Sequence, residues 1–96
     1  MSEILNIKSD STLFRTQNAI SSEIDGEVVL LSVKNSEYLC LNGVGSKIWN
    51  YLESPHTFSE VVDYLLSKYD VEHQKCESDT KEYIFVMINV GMINIQ

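Results

Sequence analysis

The sequence predicts an α+β fold of winged helix-turn-helix type: an N-terminal three-stranded antiparallel sheet followed by three helices, forming one domain over residues 1–96. Three observations predict it. Short apolar runs separated by turn residues fill Ile20 to Leu41. Asn42 then opens a stretch with Val44, Ile48 and Leu52 at four-residue spacing. Finally, Thr57 to Val90 carries helical periodicity with its own start signal.

Met1 to Leu13 has weak patterning, and residues 1–12 are expected to be mobile. Thr16 to Ile24 supplies a first strand, with Ala19, Ile20 and Ile24 as its apolar members. Asp25-Gly26 is a strong hairpin signal, because both residues tolerate the positive φ that primed turns need. Val28 to Val33 is apolar on both faces except at Ser32, as suits a central strand. Lys34-Asn35-Ser36 turns the chain into a short third strand, Tyr38-Leu39-Cys40-Leu41. In a three-strand meander this strand is an edge with unpaired backbone groups on its outer side. Leu39 is expected to supply one of those edge N–H groups, and Cys40 is expected to be a small buried side chain.

The first helix should run from Gly43 to Glu53 with Asn42 as its N-cap. Ser54-Pro55 ends it, since proline disfavours helix at the residue before it. Thr57-Phe58-Ser59-Glu60 matches a capping box for a second helix reaching Tyr69. A third helix should span Gln74 to Val90, with Gly91 as its C′ residue. Thr80, Tyr83, Ile84, Met87 and Ile88 form its apolar stripe, while Phe85, Val86 and Val90 lie outside it. A chain of 96 residues cannot hide every side of such a helix, so some of this surface should line a groove or an oligomer contact. Met92 to Ile95 reads as a short extended tail over the core.

Composition narrows the function classes. The net charge of −7, from 14 acidic and seven basic side chains, disfavours nucleic-acid binding, which relies on Lys and Arg against phosphate. In a DNA-binding winged helix the recognition helix would set Lys75 and Lys81 against Glu77, Asp79 and Glu82, the wrong balance for that contact. Cys40, Cys76, His56 and His73 show no paired ligand spacing, so no metal is expected, and no cofactor. They are also the one source of a nucleophile and base, with nothing in the sequence to bring them together. No apolar run approaches the length of a membrane span. The N-terminus lacks the basic flank and long apolar block of a secretion signal. A cytoplasmic, non-enzymatic protein is the simplest reading, and a small sheet followed at once by helices suits holding a peptide.

Taken together, DGEVVLL at Asp25 to Leu31, YLCLNGVGSKIW at Tyr38 to Trp49, EVVDYLLSKYDV at Glu60 to Val71 and CESDT…GMI at Cys76 to Ile93 resemble the PqqD-like proteins. These are recognition elements for ribosomally made, post-translationally modified peptides. The resemblance covers Ile20 to Ile93, and its pattern is most similar to the stand-alone leader-binding proteins of lasso peptide biosynthesis. The family pattern favours Gly where this chain has Ser36, so Asn35 is expected to take the unusual backbone angle there. The resemblance implies a non-catalytic adaptor that binds the leader of a precursor peptide. The leader adds as a strand to the third strand, beside the third helix, and is delivered to a leader peptidase or other modifying enzyme. Within the family the alternative is a peptide chaperone for a radical SAM enzyme. On the residues that match, the peptide site would comprise Tyr38, Leu39, Cys40 and Leu41 from the strand and Asp79, Glu82, Tyr83, Val86, Met87 and Val90 from the helix. Tyr83, Val86 and Met87 would form apolar pockets, and Asp79 and Glu82 would make polar contacts. The partners so implied are a precursor peptide and a processing enzyme, with a homodimer open and neither nucleic acid nor membrane involved.

Overall fold

The computed structural model describes residues 7–17, 19–33 and 36–96. Its elements run in order β1 (Thr12–Arg15), β2 (Ala19–Ile24), β3 (Glu27–Ser32), β4 (Glu37–Cys40), α1 (Gly43–Tyr51), β5 (His56–Thr57), α2 (Phe58–Lys68), α3 (His73–Asn89) and β6 (Ile93–Ile95).

The expected meander is β2–β3–β4, antiparallel, with β3 in the middle. Asp25 and Gly26 take φ of 52° and 83°, the pair of positive values that lets a two-residue turn match the twist of its flanking strands. Along β3, Val28, Leu30 and Ser32 are buried while Val29 and Leu31 are half-buried, so the strand is covered on one face and partly shielded on the other. Lys34 and Asn35 of the second turn lie outside the described residues. Ser36 itself is left-handed, with φ of 55°, where an L side chain costs roughly 1–2 kcal/mol. Its N–H bonds to the Ser32 carbonyl at 2.8 Å, closing the turn.

A second small sheet, ordered β5–β1–β6, ties the chain ends to the helices. Its central strand β1 lies where the sequence shows weak patterning. Leu13 is nonetheless wholly buried, and Ile7 joins it in the core, whereas Met1–Asn6 lie outside the described residues. Thr12 and Gln96 exchange both backbone hydrogen bonds, at 3.1 and 2.8 Å, which fixes the tail over the core as β6. Arg15 locks this sheet to α1. Its guanidinium donates to the Trp49 carbonyl from Nε at 3.0 Å and from Nη2 at 2.6 Å, and it stacks 4.5 Å from the Trp49 ring centre.

α1 and α2 begin at their expected caps, whereas α3 begins at His73, one residue before the expected Gln74, behind Glu72, which makes no side-chain cap hydrogen bond. The Asn42 side chain accepts from the Gly45 N–H at 2.8 Å. α1 stops at Tyr51, two residues short of the expected Glu53. The Thr57–Glu60 box is complete: the Glu60 N–H donates to Thr57 Oγ1 at 3.1 Å, and the Thr57 N–H donates to Glu60 Oε1 at 2.9 Å. The Thr57 N–H, and after it the His56 side chain, holds the Glu60 carboxyl below the usual carboxylate range. α3 ends in a Schellman motif, with Gly91 at φ 80°. Its N–H reaches the Ile88 carbonyl at 3.0 Å, and the Met92 N–H reaches the Met87 carbonyl at 2.9 Å. Ser46, buried on α1, accepts from the Val28 N–H at 2.8 Å and donates to the Leu41 carbonyl at 3.3 Å. It thereby completes the β3–β4 ladder where the strands part and ties α1 to the sheet. Leu13, Leu30, Leu41, Ile48, Phe58, Val61, Ile84, Met87 and Ile93 form the centre of the core between these layers.

Candidate functional site

Among the described residues β4 pairs only with β3, so its far edge is open. Which backbone groups face that edge follows from the register. The Leu41 N–H donates to the Val28 carbonyl at 2.8 Å, which makes Val28 and Leu41 a hydrogen-bonded pair. Bonded and non-bonded pairs alternate in an antiparallel ladder. Leu39 opposite Leu30, and Glu37 opposite Ser32, therefore also spend their N–H groups on β3. The groups left unpaired at the edge are those of Tyr38 and Cys40. The expectation that Leu39 offers an edge N–H is corrected accordingly.

The side chains follow the same alternation. Leu39 and Leu41 turn towards α3, whereas Tyr38 and Cys40 stand on the other face. Cys40 is exposed, not buried. Flanking apolar neighbours suggested burial, but on an edge strand a period of two separates Cys40 from Leu39 and Leu41.

Three depressions adjoin along α3, the first two between it and the β4 edge and the third between it, the start of α1 and the end of α2. The first, of about 150 Å³, is lined by Glu37, Tyr38, Leu39 and Val90, with Ser32 and Met92 beneath. The second, of about 250 Å³, is wholly apolar in its side-chain walls apart from the tyrosine hydroxyl: Leu39, Leu41, Tyr83, Val86 and Met87. The third, of about 290 Å³, lies where β4 gives way to α1 and is bounded by Asn42, Val44, Tyr69, Val71, Cys76, Asp79, Thr80 and Tyr83 among others. Leu39 is common to the first two and Tyr83 to the last two, so the three adjoin as one furrow that Tyr83 partitions.

Eight of the ten residues singled out in the sequence line this furrow. Tyr38, Leu39, Leu41, Tyr83, Val86, Met87, Val90 and Asp79 do; the Cys40 and Glu82 side chains do not. Cys40 contributes its backbone alone. Glu82 sits roughly 60° round α3 from Asp79, on the side away from the core, as 3.6 residues per turn requires. Met87 is 1% exposed and Val86 52%, so Met87 forms floor that belongs to the core, while Val86 is a wall free to meet a guest. Asp79 faces the third depression while paired with Lys75 at 3.3 Å, both side chains exposed. The sequence reading missed Glu37 and, apart from Asp79 and Tyr83, the third depression. Its signal was present in part: Cys76, Thr80 and Tyr83 share the α3 face that runs towards the Asn42 cap.

Tyr83 divides the second depression from the third, and α1 holds it there. Its hydroxyl donates to Asn42 Oδ1 at 3.3 Å, the same oxygen that caps α1. Burial pushes the phenol pKa up, with the Asn42 backbone pulling the other way. Gly45 makes room for the ring, since a Cβ there would collide with the Tyr83 hydroxyl and ring tip. Gly45→Ala is therefore expected to destabilise the fold by about 1–3 kcal/mol through overpacking. In the Tyr83→Ala background the same change should cost far less. A double-mutant cycle read by thermal denaturation checks the coupling.

The remaining reactive side chains are occupied separately. His56 meets Glu60 at 3.2 Å and Ser54 at 3.3 Å, and Cys76 Sγ lies 3.9 Å from Thr80 Oγ1. Among the described residues no group of His, Cys, Asp and Glu could hold a metal ion, and no helix is long and apolar enough to cross a membrane.

Comparison with known proteins agrees with this geometry. The model of the family coenzyme PQQ synthesis protein D (PqqD) matches residues 27–93. A solved structure of TbiB1 in complex with the TbiA(beta) leader peptide is 31% identical, with a TM-score of 0.79 over 84% of this chain and 94% of that one. A lasso peptide synthetase B1 complexed with the leader peptide is 26% identical, with a TM-score of 0.76 over 85% of this chain and 96% of the other. No curated protein matches.

Proposed function

The chain belongs to the PqqD family, and we propose that it is a non-catalytic carrier for the leader region of a ribosomally synthesised precursor peptide. The leader adds as a fourth strand to the open edge of β4 and presents its peptide to a modifying enzyme or leader peptidase. One observation carries the reading: the unpaired backbone of Tyr38 and Cys40 lies beside a furrow with an apolar centre whose other wall is α3. A strand taken into that furrow gains main-chain hydrogen bonds with little demand on its sequence. Its alternate side chains drop into the depressions, which supply selectivity. Both similar solved structures are complexes with a leader peptide, and one of them, a lasso peptide synthetase B1, favours the lasso pathway over one served by a radical SAM enzyme.

The surface chemistry suits a peptide better than DNA. Asp79 and Glu82 dominate the exposed side of α3, and the furrow walls are apolar rather than basic. Calorimetric titration with a precursor leader should give saturable one-to-one binding. Adding the core segment of the precursor should change the affinity little. No heat of binding with the leader, or binding that needs only the core segment, overturns the assignment.

A further inference from the structure

We propose that the outer face of the β2–β3–β4 sheet is the docking surface for the enzyme that processes the bound leader, and that this enzyme meets it with a surface apolar at its centre and basic at its rim. The inference rests on the carrier function proposed above. Residues directly opposite across antiparallel strands share a face. The register therefore sets Ile20, Leu31 and Tyr38 in one row and Ser22, Val29 and Cys40 in the next, with Ile24 beside Glu27. Val28, Leu30 and Leu39 turn inwards, so these rows form the opposite, outer face. Ile20, Ile24 and Tyr38 are 57%, 59% and 74% exposed. Isolated exposed apolar residues need no explanation, but a set in register across three strands does.

Two features select the occupant. The first is continuity with the furrow. A leader strand added at β4 would place every second side chain on this outer face, flush with Tyr38 and Cys40. A protein seated there would touch carrier and leader together, and so would distinguish the loaded carrier from the empty one. The second is charge. The charged groups this register leaves at the outer face and its first turn are Glu27 and Asp25, both acidic, whereas Glu23 opposite Val28 and Glu37 opposite Ser32 belong to the other face. A second copy of the same face would bring like charges together, whereas a partner with Lys and Arg at its rim is attracted and steered.

Ile20→Lys and Ile24→Lys test this on the full-length protein, away from β4. The readouts are leader affinity by calorimetry and kcat/KM of the leader peptidase on precursor presented by the carrier. Leader affinity is expected to stay within about twofold and kcat/KM to fall at least about tenfold, as loss of one to two apolar anchors implies. Glu27→Lys should lower kcat/KM as well and flatten its dependence on salt. Ile20→Ser, which matches Ser21 and Ser22, replaces the lysine variants if these unfold. Unchanged processing with leader affinity intact overturns the docking face and leaves the carrier function standing. So does a wild-type dimer in sedimentation that the variants dissolve, because a second copy then covers the face. Absence of leader binding by the wild-type protein overturns both.

Discussion

Cys40→Pro should abolish most leader binding while leaving the fold close to intact. The Cys40 N–H points to the open edge, because the Leu41-to-Val28 hydrogen bond assigns the neighbouring odd-numbered groups to β3. Proline at position 40 therefore removes no bond within the protein. The position is extended, on an edge strand, where proline is tolerated. A guest strand, however, loses one main-chain acceptor contact and meets the pyrrolidine ring in its place. The lost hydrogen bond alone is worth about 1 kcal/mol or more, and the ring blocks close approach on either side of it. A fall in affinity of about 30-fold or greater is expected, equivalent to roughly 2 kcal/mol. Leu39→Pro is the control with the opposite signature. It breaks the bonded pair with Leu30 and should lower the thermal midpoint, taking binding down with the fold. Calorimetry and thermal denaturation on the two variants separate these outcomes. If Cys40→Pro binds leader as the wild type does, the guest does not pair with β4.

The contrast between positions 39 and 40 shows what the sequence carries and what it does not. The strand Tyr38–Leu41 is legible because turn residues bracket a short apolar run. Its edge position follows from the order of three consecutive strands. Which N–H groups face outwards depends on the phase of the ladder, and that phase is set by the two-residue turn at Asp25-Gly26 and by the Val28–Leu41 pair. Hydrophobic patterning has no access to it. The same holds for Cys40, whose neighbours are apolar on both sides, so that composition suggests burial where alternation gives exposure.

The helices were more legible, since a cap and a period of 3.6 are local properties. Asn42, Thr57 and Gly91 mark three of their ends within a residue of where they lie. The second sheet was not legible. β1 contributes one wholly buried side chain, Leu13, and is held by partners more than 40 residues away, His56–Thr57 and Ile93–Ile95. A four-residue strand with a single inward apolar residue leaves almost no periodic trace. On α3 the sequence grouped Glu82 with Asp79 and Val86, and one helical step separates the furrow wall from open solvent there. The choice between wall and solvent is made by how α3 lies against β4. Tyr83 seated against Gly45 is one of the contacts that fix it, between two residues that carry no distinguishing local signal.

Val86→Asp tests that wall. Val86 is half-exposed on the furrow side of α3, so the free protein can solvate an aspartate there. Valine and aspartate have similar helix propensities. The new charge lies in the last turn of α3, where the helix dipole makes a carboxylate unfavourable by about 0.3–1 kcal/mol. The fold should therefore lose no more than about 1 kcal/mol. A guest side chain entering the second depression would have to strip water from that carboxylate against Leu39, Leu41 and Met87, with no cation in the lining to pair it. Desolvation of an unpaired charge outweighs any single apolar contact, and a loss of about 100-fold in leader affinity is expected. Val86→Thr, similar in shape and uncharged, should lose only several-fold. Met87→Asp, by contrast, buries the charge in the free protein and should unfold it, since Met87 is 1% exposed. Three variants at two adjacent positions thus separate furrow from core. If Val86→Asp instead loses stability in proportion to affinity, the side chain belongs to the core and α3 is not the wall a leader meets. If it loses neither, the leader lies along β4 without touching α3, and selectivity must come from the two outer depressions at Val90 and Asp79.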